Sequence, residues 1–183
     1  GLDDKELFDI VMNDRKSTNN DKPFVDIIMT LSTHEPFIIL ENQDKYELMA
    51  KDFIEKNTSV SKTEKNAILK NLNVFACYLY MDECVKNLIN SYNKMGKYDN
   101  TIFVITGDHR MGMLNTGNVL RSFNVPLLIY SPLLKENKQM NAVVSHYDIT
   151  PTINAYLYNN YDYQTDEYCH WIGKSLDTVK EFR

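Results

Sequence analysis

Apolar positions along the chain recur at two different periods. Over residues 3–14, DDKELFDIVMND, the residues Leu7, Phe8, Ile10 and Val11 fall on one face of a helix with Asp3 or Asp4 as its N-cap. Residues 23–32, PFVDIIMTLS, read as a strand, with Pro23 at its start where no ladder donor is required. The charged stretch from 41 to 66 predicts one or two short exposed helices, and Ser61 with Glu64 matches a capping box. A long helix over 63–95 follows from Ile68, Leu72, Phe75, Leu79, Val85, Ile89 and Tyr92, with Gly96 as its stop. TIFVIT (101–106) is a continuous apolar run of the kind a strand covered on both faces presents. FNVPLLIYS (123–131) is a strand nearer an edge because Pro126 lacks a donor. DITPTINAYLYN (148–159) is a helix with Asp148 or Thr150 as cap and Pro151 in its first turn. The tail motif HWIGKSL is expected to dock, burying Trp171 and Ile172. Strands alternating with helices imply an α/β layered domain, with a mostly parallel sheet flanked by helices.

Composition narrows this picture. The 183 residues are enough for one domain with its own core, and 12 Tyr and 8 Phe exclude a disordered chain. Net charge is −5 with no basic stripe, so no nucleic-acid partner is expected. Cys77 and Cys84 are seven residues apart on one helix, about 10 Å of rise, too far for a relaxed disulfide, and read as small buried hydrophobes. No apolar run is long enough to span a bilayer. The chain opens on Gly1 rather than Met, which reads as a processed or excised piece.

Three segments can carry chemistry. Strand 101–106 ends in Gly107-Asp108-His109, at the carboxyl end where α/β sheets gather functional groups. A carboxylate beside an imidazole suits a divalent cation; it equally suits a turn in which Asp caps the next segment and His faces solvent. His34, in TLSTHEPF, also follows a strand and can bind a phosphate or move a proton, or can simply be a loop residue packed by Pro36 and Phe37. His146, in SHYDITPT, precedes a helix N-terminus suited to anions, while Asp148 serves as an ordinary cap. Asp82 falls on the apolar stripe between Leu79 and Val85, where an acid needs partners; a structural hydrogen bond and a catalytic role are both open. The fourth histidine, His170, reads as a packing partner of Trp171.

These motifs occur in an order that resembles the sulfatase-like branch of the alkaline phosphatase superfamily, nearest in pattern to lipoteichoic acid synthases and related phosphoglycerol transferases. PFVDIIMTLSTHEPF resembles the family's strand running into T-x-S-x-H-x-P-F. Tyr80-Met81-Asp82 looks like its Y-x-D, and DNTIFVITGDH is similar to its most specific signature. NVPLLIYSP with SHYDITPTI, the terminal GKSL, and the opening GLDDKELF match further family patterns.

The resemblance covers nearly all of 1–183 and implies the C-terminal part of a sulfatase-like catalytic domain. It implies Asp108 and His109 as ligands of one divalent metal ion, Mn foremost, with Zn, Mg or Ca as alternatives. It implies His34 as the catalytic and substrate-phosphate contact, and places Asp4 and His146 near the substrate. Arg110 stands where many relatives have Gly, ahead of Met111 and Gly112, and can reach a phosphate or sit in solvent.

The N-terminal half of the family's catalytic domain, with its metal-binding acid and Thr or Ser nucleophile, has no counterpart in these residues. Alone, the chain is therefore expected to be inactive and to expose an apolar surface where that half would pack. The implied activity is a metal-dependent extracytoplasmic phosphotransferase or hydrolase. It would act on phosphate esters such as phosphoglycerol lipid headgroups, in a cell envelope protein whose membrane anchor lies upstream. A sulfatase or phosphodiesterase of the same fold and a non-catalytic binding module are the alternatives. Shared chemistry at one site requires the His34 and His109 rings to lie within about 12 Å of each other.

Overall fold

The computed structural model describes residues 2–18, 22–111, 119, 123–161, 163–164 and 170–176. Of the residues singled out above, Gly1 and Gly112 lie outside the described residues. The chain divides into two compact units, Gly1–Leu134 and Lys135–Arg183.

In the first unit, α1 (Asp4–Ser17) starts where an acid can cap it: the Asp3 side chain accepts from the Lys5 N–H. Its buried face is Asp4, Phe8 and Met12, spaced by four, while Ile10 is exposed. α2 (Gln43–Lys56) buries Tyr46, Ala50 and Ile54 at the same spacing. The capping box at Ser61 and Glu64 is present and opens α3 (Lys62–Leu69).

The single long helix expected over 63–95 is two helices, with α4 running from Leu72 to Lys94. The break falls at Lys70-Asn71, where Asn71 leaves helical geometry (φ −124°, ψ 41°) and its side-chain amide donates to the Ala67 carbonyl. Gly96 ends α4 with φ +67°, the left-handed geometry a side chain disfavours.

The core of this unit lies around α4. Val74, Cys77, Tyr80, Cys84 and Tyr92 are buried, with Tyr46 packed edge-on to Tyr80 at 5.3 Å. This stripe sits beside the expected one, so Phe75, Leu79 and Val85 flank the core. Asp82 is exposed rather than buried, because the inward row passes through Tyr80 and Cys84. Cys77 and Cys84 are free and buried, and burial pushes their thiols up to about 11 and about 12.

Two strands are described, β1 (Phe103–Thr106) and β2 (Leu127–Tyr130), paired antiparallel with Phe103 opposite Tyr130. β1 is half-buried, not covered on both faces, so its pairing and burial differ from those expected of it. Residues 23–31 are extended but join no ladder. They keep a strand's period of two: Val25, Ile27, Met29 and Leu31 are exposed, while Asp26, Ile28 and Thr30 are half-buried.

The segment is held from its inner side. The Arg15 guanidinium pairs with the Asp26 carboxylate, its Nε lying 3.1 and 3.0 Å from the two oxygens, and the Tyr92 hydroxyl donates to the same group at 3.0 Å. These donors hold the Asp26 carboxyl below the usual carboxylate range, the Arg15 hydrogen bond foremost.

In the second unit, a 3-10 turn (His146–Asp148) leads into α5 (Ile149–Asn160), with Pro151 buried in the first turn. Asp148 accepts from the Ser145 and Lys174 N–H groups, 2.7 and 2.8 Å away, which lowers its pKa, the Lys174 bond having the larger effect. The tail does dock, but through Gly173 and Leu176. Trp171 and Ile172 remain exposed, as does His170. A Cβ on Gly173 would stand 1.9 Å from the Tyr147 carbonyl oxygen, so only glycine permits this approach.

Candidate active site

His34 sits on the loop that follows the extended segment. The loop is a succession of tight turns: the His34 N–H donates to the Leu31 carbonyl and the Phe37 N–H to the His34 carbonyl, each at 2.8 Å. Phe37 ends it in the left-handed region (φ 58°) with its ring buried in the core. Glu35-Pro36 is a cis peptide. Between these fixed points His34 and Glu35 are exposed.

Asp108 and His109 lie just past the carboxyl end of β1. The Asp108 carboxylate accepts the His109 backbone N–H at 2.9 Å, and its second oxygen lies 3.6 Å from His109 Nε2. Both side chains are open to solvent, Asp108 at 73% and His109 at 67% exposure. Thr106 anchors the end of β1 by donating to the Pro126 carbonyl at 2.9 Å.

The two histidines come together. Their ring centroids are 6.5 Å apart and nearly perpendicular, well inside the separation a shared site requires. Both are also oriented alike by backbone. His34 Nδ1 lies 2.8 Å from the Glu35 carbonyl, and His109 Nδ1 lies 2.8 Å from the Arg110 carbonyl. A carbonyl only accepts, so each Nδ1 carries the proton. In the neutral ring, Nε2 then carries the lone pair.

The donor set fits a divalent cation as far as it goes. Two ligands each about 2.1 Å from a tetrahedral ion lie about 3.4 Å apart, close to the 3.6 Å between Asp108 Oδ2 and His109 Nε2. Among the described residues no group of three or more His, Cys, Asp or Glu is arranged to hold a metal.

Of the other candidates, Asp4 is engaged by backbone. It is buried, and its two oxygens accept the Leu31 and Ser32 N–H groups at 2.7 and 2.8 Å. Arg110 is exposed beside His109. His146 is exposed at the start of the 3-10 turn in the second unit, where it is the N-terminal residue of a capping-box turn. The part played by Asp4 and the Arg15–Asp26–Tyr92 clamp escaped sequence reasoning, because each joins positions far apart in the chain. The one legible signal was an acid at Asp4 on the same helical face as Phe8.

The family model described as Sulfatase matches residues 2–158, and the chain belongs to the sulfatase family. That membership carries an α/β, enzyme-type fold within the alkaline phosphatase superfamily. The chain is similar to lipoteichoic acid synthase of Staphylococcus aureus, strains USA300 and NCTC 8325 / PS 47, at 30% identity over 109 residues in each case. Those residues are 60% of this chain and 14% of each relative, so the chain spans only a small part of these proteins. No solved structure gives a significant match. Among the described residues no helix is long and apolar enough to cross a membrane.

Proposed function

We propose that the chain forms part of a metal-dependent phosphotransferase or hydrolase acting on phosphate esters of the phosphoglycerol-headgroup type, outside the cytoplasm in the cell envelope. The observation that carries this reading is the His34–His109 pair, 6.5 Å apart, with both Nδ1 atoms given to backbone carbonyls. The likeness to lipoteichoic acid synthase supports the substrate class and location. Asp108 and His109 would hold one divalent ion, Mn foremost. When bound, that ion would lower the pKa of a hydroxyl nucleophile and neutralise charge on phosphate oxygens.

The residues of this chain then divide the remaining work. With Nδ1 given to the Glu35 carbonyl, His34 would act through Nε2. When protonated there it donates to a phosphate or leaving-group oxygen; when neutral it accepts a proton from an incoming hydroxyl. A Thr or Ser outside the chain, its hydroxyl proton released to solvent, would form the new O–P bond while the ester O–P bond breaks and the leaving oxygen takes the proton from His34. Arg110, exposed next to His109, would contact a phosphate oxygen. His146 is assigned to the same substrate on the family pattern alone.

The exposed row Val25, Ile27, Met29 and Leu31 is the surface on which the rest of such a domain would pack. Calorimetric titration of the intact protein carrying this chain with MnCl2 tests the reading. One ion should bind, and His109→Ala should abolish both binding and Mn-dependent hydrolysis of bis(4-nitrophenyl) phosphate. An intact protein that binds neither Mn nor Zn would be a binding module of the same fold.

A further inference from the structure

Asp4 is a charged side chain only 1% exposed, and both its oxygens are engaged by the same short segment. The Leu31 and Ser32 N–H groups are consecutive, and neither enters a ladder. The carboxylate offers one acceptor oxygen to each of them, at 2.7 and 2.8 Å. Among the described residues Asp4 has no ion-pair partner, so these backbone dipoles are what hold its charge. Leu31 is also the residue whose carbonyl accepts the His34 N–H. A chain of contacts therefore runs from α1, through Asp4, into the turn that presents the His34 ring.

Resting on the catalytic reading above, we infer that Asp4 is a positioning residue: it sets the place of His34 relative to His109 and does not itself contact substrate. Its acid group sits on a helix whose Phe8 and Met12 are buried, so the turn is referenced to the core of the first unit. The same carboxylate used only as a fold-stabilising tie would have no preference for acting through His34.

The test compares Asp4→Ala, Asp4→Asn, His34→Ala and the Asp4→Ala/His34→Ala double variant in the intact protein. Readouts are kcat and KM for Mn-dependent bis(4-nitrophenyl) phosphate hydrolysis, calorimetric Mn affinity, and the histidine imidazole resonances by NMR. Asp4→Ala should lower kcat roughly 10- to 100-fold, the scale of an ångström-level misplacement, with Mn affinity unchanged. Asp4→Asn should fall between, since it keeps one acceptor oxygen. The double variant should be no slower than His34→Ala, because the two act as one unit. Additive losses, or an effect confined to KM, overturn the assignment.

Should His34→Ala leave the rate unchanged, it is the catalytic reading of His34 that fails. Asp4 is then judged by NMR alone: a displaced His34 resonance with His146 unmoved upholds the positioning role, and an unmoved His34 resonance overturns it. If Asp4→Ala does not fold, Asp4→Asn with Asp4→Asn/His34→Ala carries the same comparison.

Discussion

The loop that presents His34 is held from a distance, whereas the bonds seen at Asp108 and His109 run between sequence neighbours. On the first side, Asp26 is clamped by α1 and α4, Asp4 ties the Leu31–Ser32 backbone, and the Phe37 ring is buried. These contacts join residues up to 66 positions apart. On the second side, Asp108 accepts from His109 and His109 Nδ1 donates to Arg110, with both side chains largely in solvent. The His34 loop thus depends on the helical core, while the Asp108–His109 pair rests on local bonds and exposed side chains.

The difference can be broken in order of expected effect. Removing Asp108 and His109 together should abolish Mn-dependent turnover of the intact protein, a loss on the order of a thousandfold or more. The same change should move folding stability by no more than about 0.5 kcal/mol, as expected for exposed side chains. A denaturation midpoint that shifts strongly would show the pair to be structural.

Phe37→Ala should do the reverse. It empties a buried aromatic site and is expected to cost about 3–5 kcal/mol by urea denaturation. A neutral result would mean that the left-handed Phe37 turn is not the anchor of the loop.

Acid sharpens the same contrast. The folded-state pKa of Asp26 is lowered, so its clamp stabilises the protein above the ordinary carboxylate value of 3.8 and is lost as pH falls through the lower, folded value. Asp26→Asn should flatten the acid limb of stability against pH below about 4. An unchanged slope would place the acid sensitivity elsewhere. The smallest effect belongs to Ser61→Ala, which removes an exposed cap remote from both loops and should cost about 1 kcal/mol with the rate untouched.

Much of the molecule was legible locally. The capping box at Ser61 and Glu64, the helix stop at Gly96 and the acidic start of α1 are signals within one turn of the backbone, and each was found where expected. Misreadings came where long-range contact decides. Asp82 shared a helical stripe with apolar residues, yet the buried row runs beside it. Residues 23–31 have the composition and alternation of a strand without a ladder partner, because pairing requires a neighbour and not a propensity. The break of the 63–95 helix at Asn71 is the local exception: a side chain there competes with the backbone for a carbonyl four residues back.

For the site the division is similar. The sequence by itself determined the chemical identities: an acid and an imidazole past one apolar run, a second imidazole past another, and the motif order that marks the sulfatase family. Only the tertiary structure decided that the imidazoles meet, that both give Nδ1 to backbone carbonyls, and that Asp4 serves the backbone beneath them. The physical reason is range. Residue chemistry and turn propensity act over a few positions, while the 2.7 Å contact between Asp4 and Leu31 spans 27 and exists only once the helical core has formed.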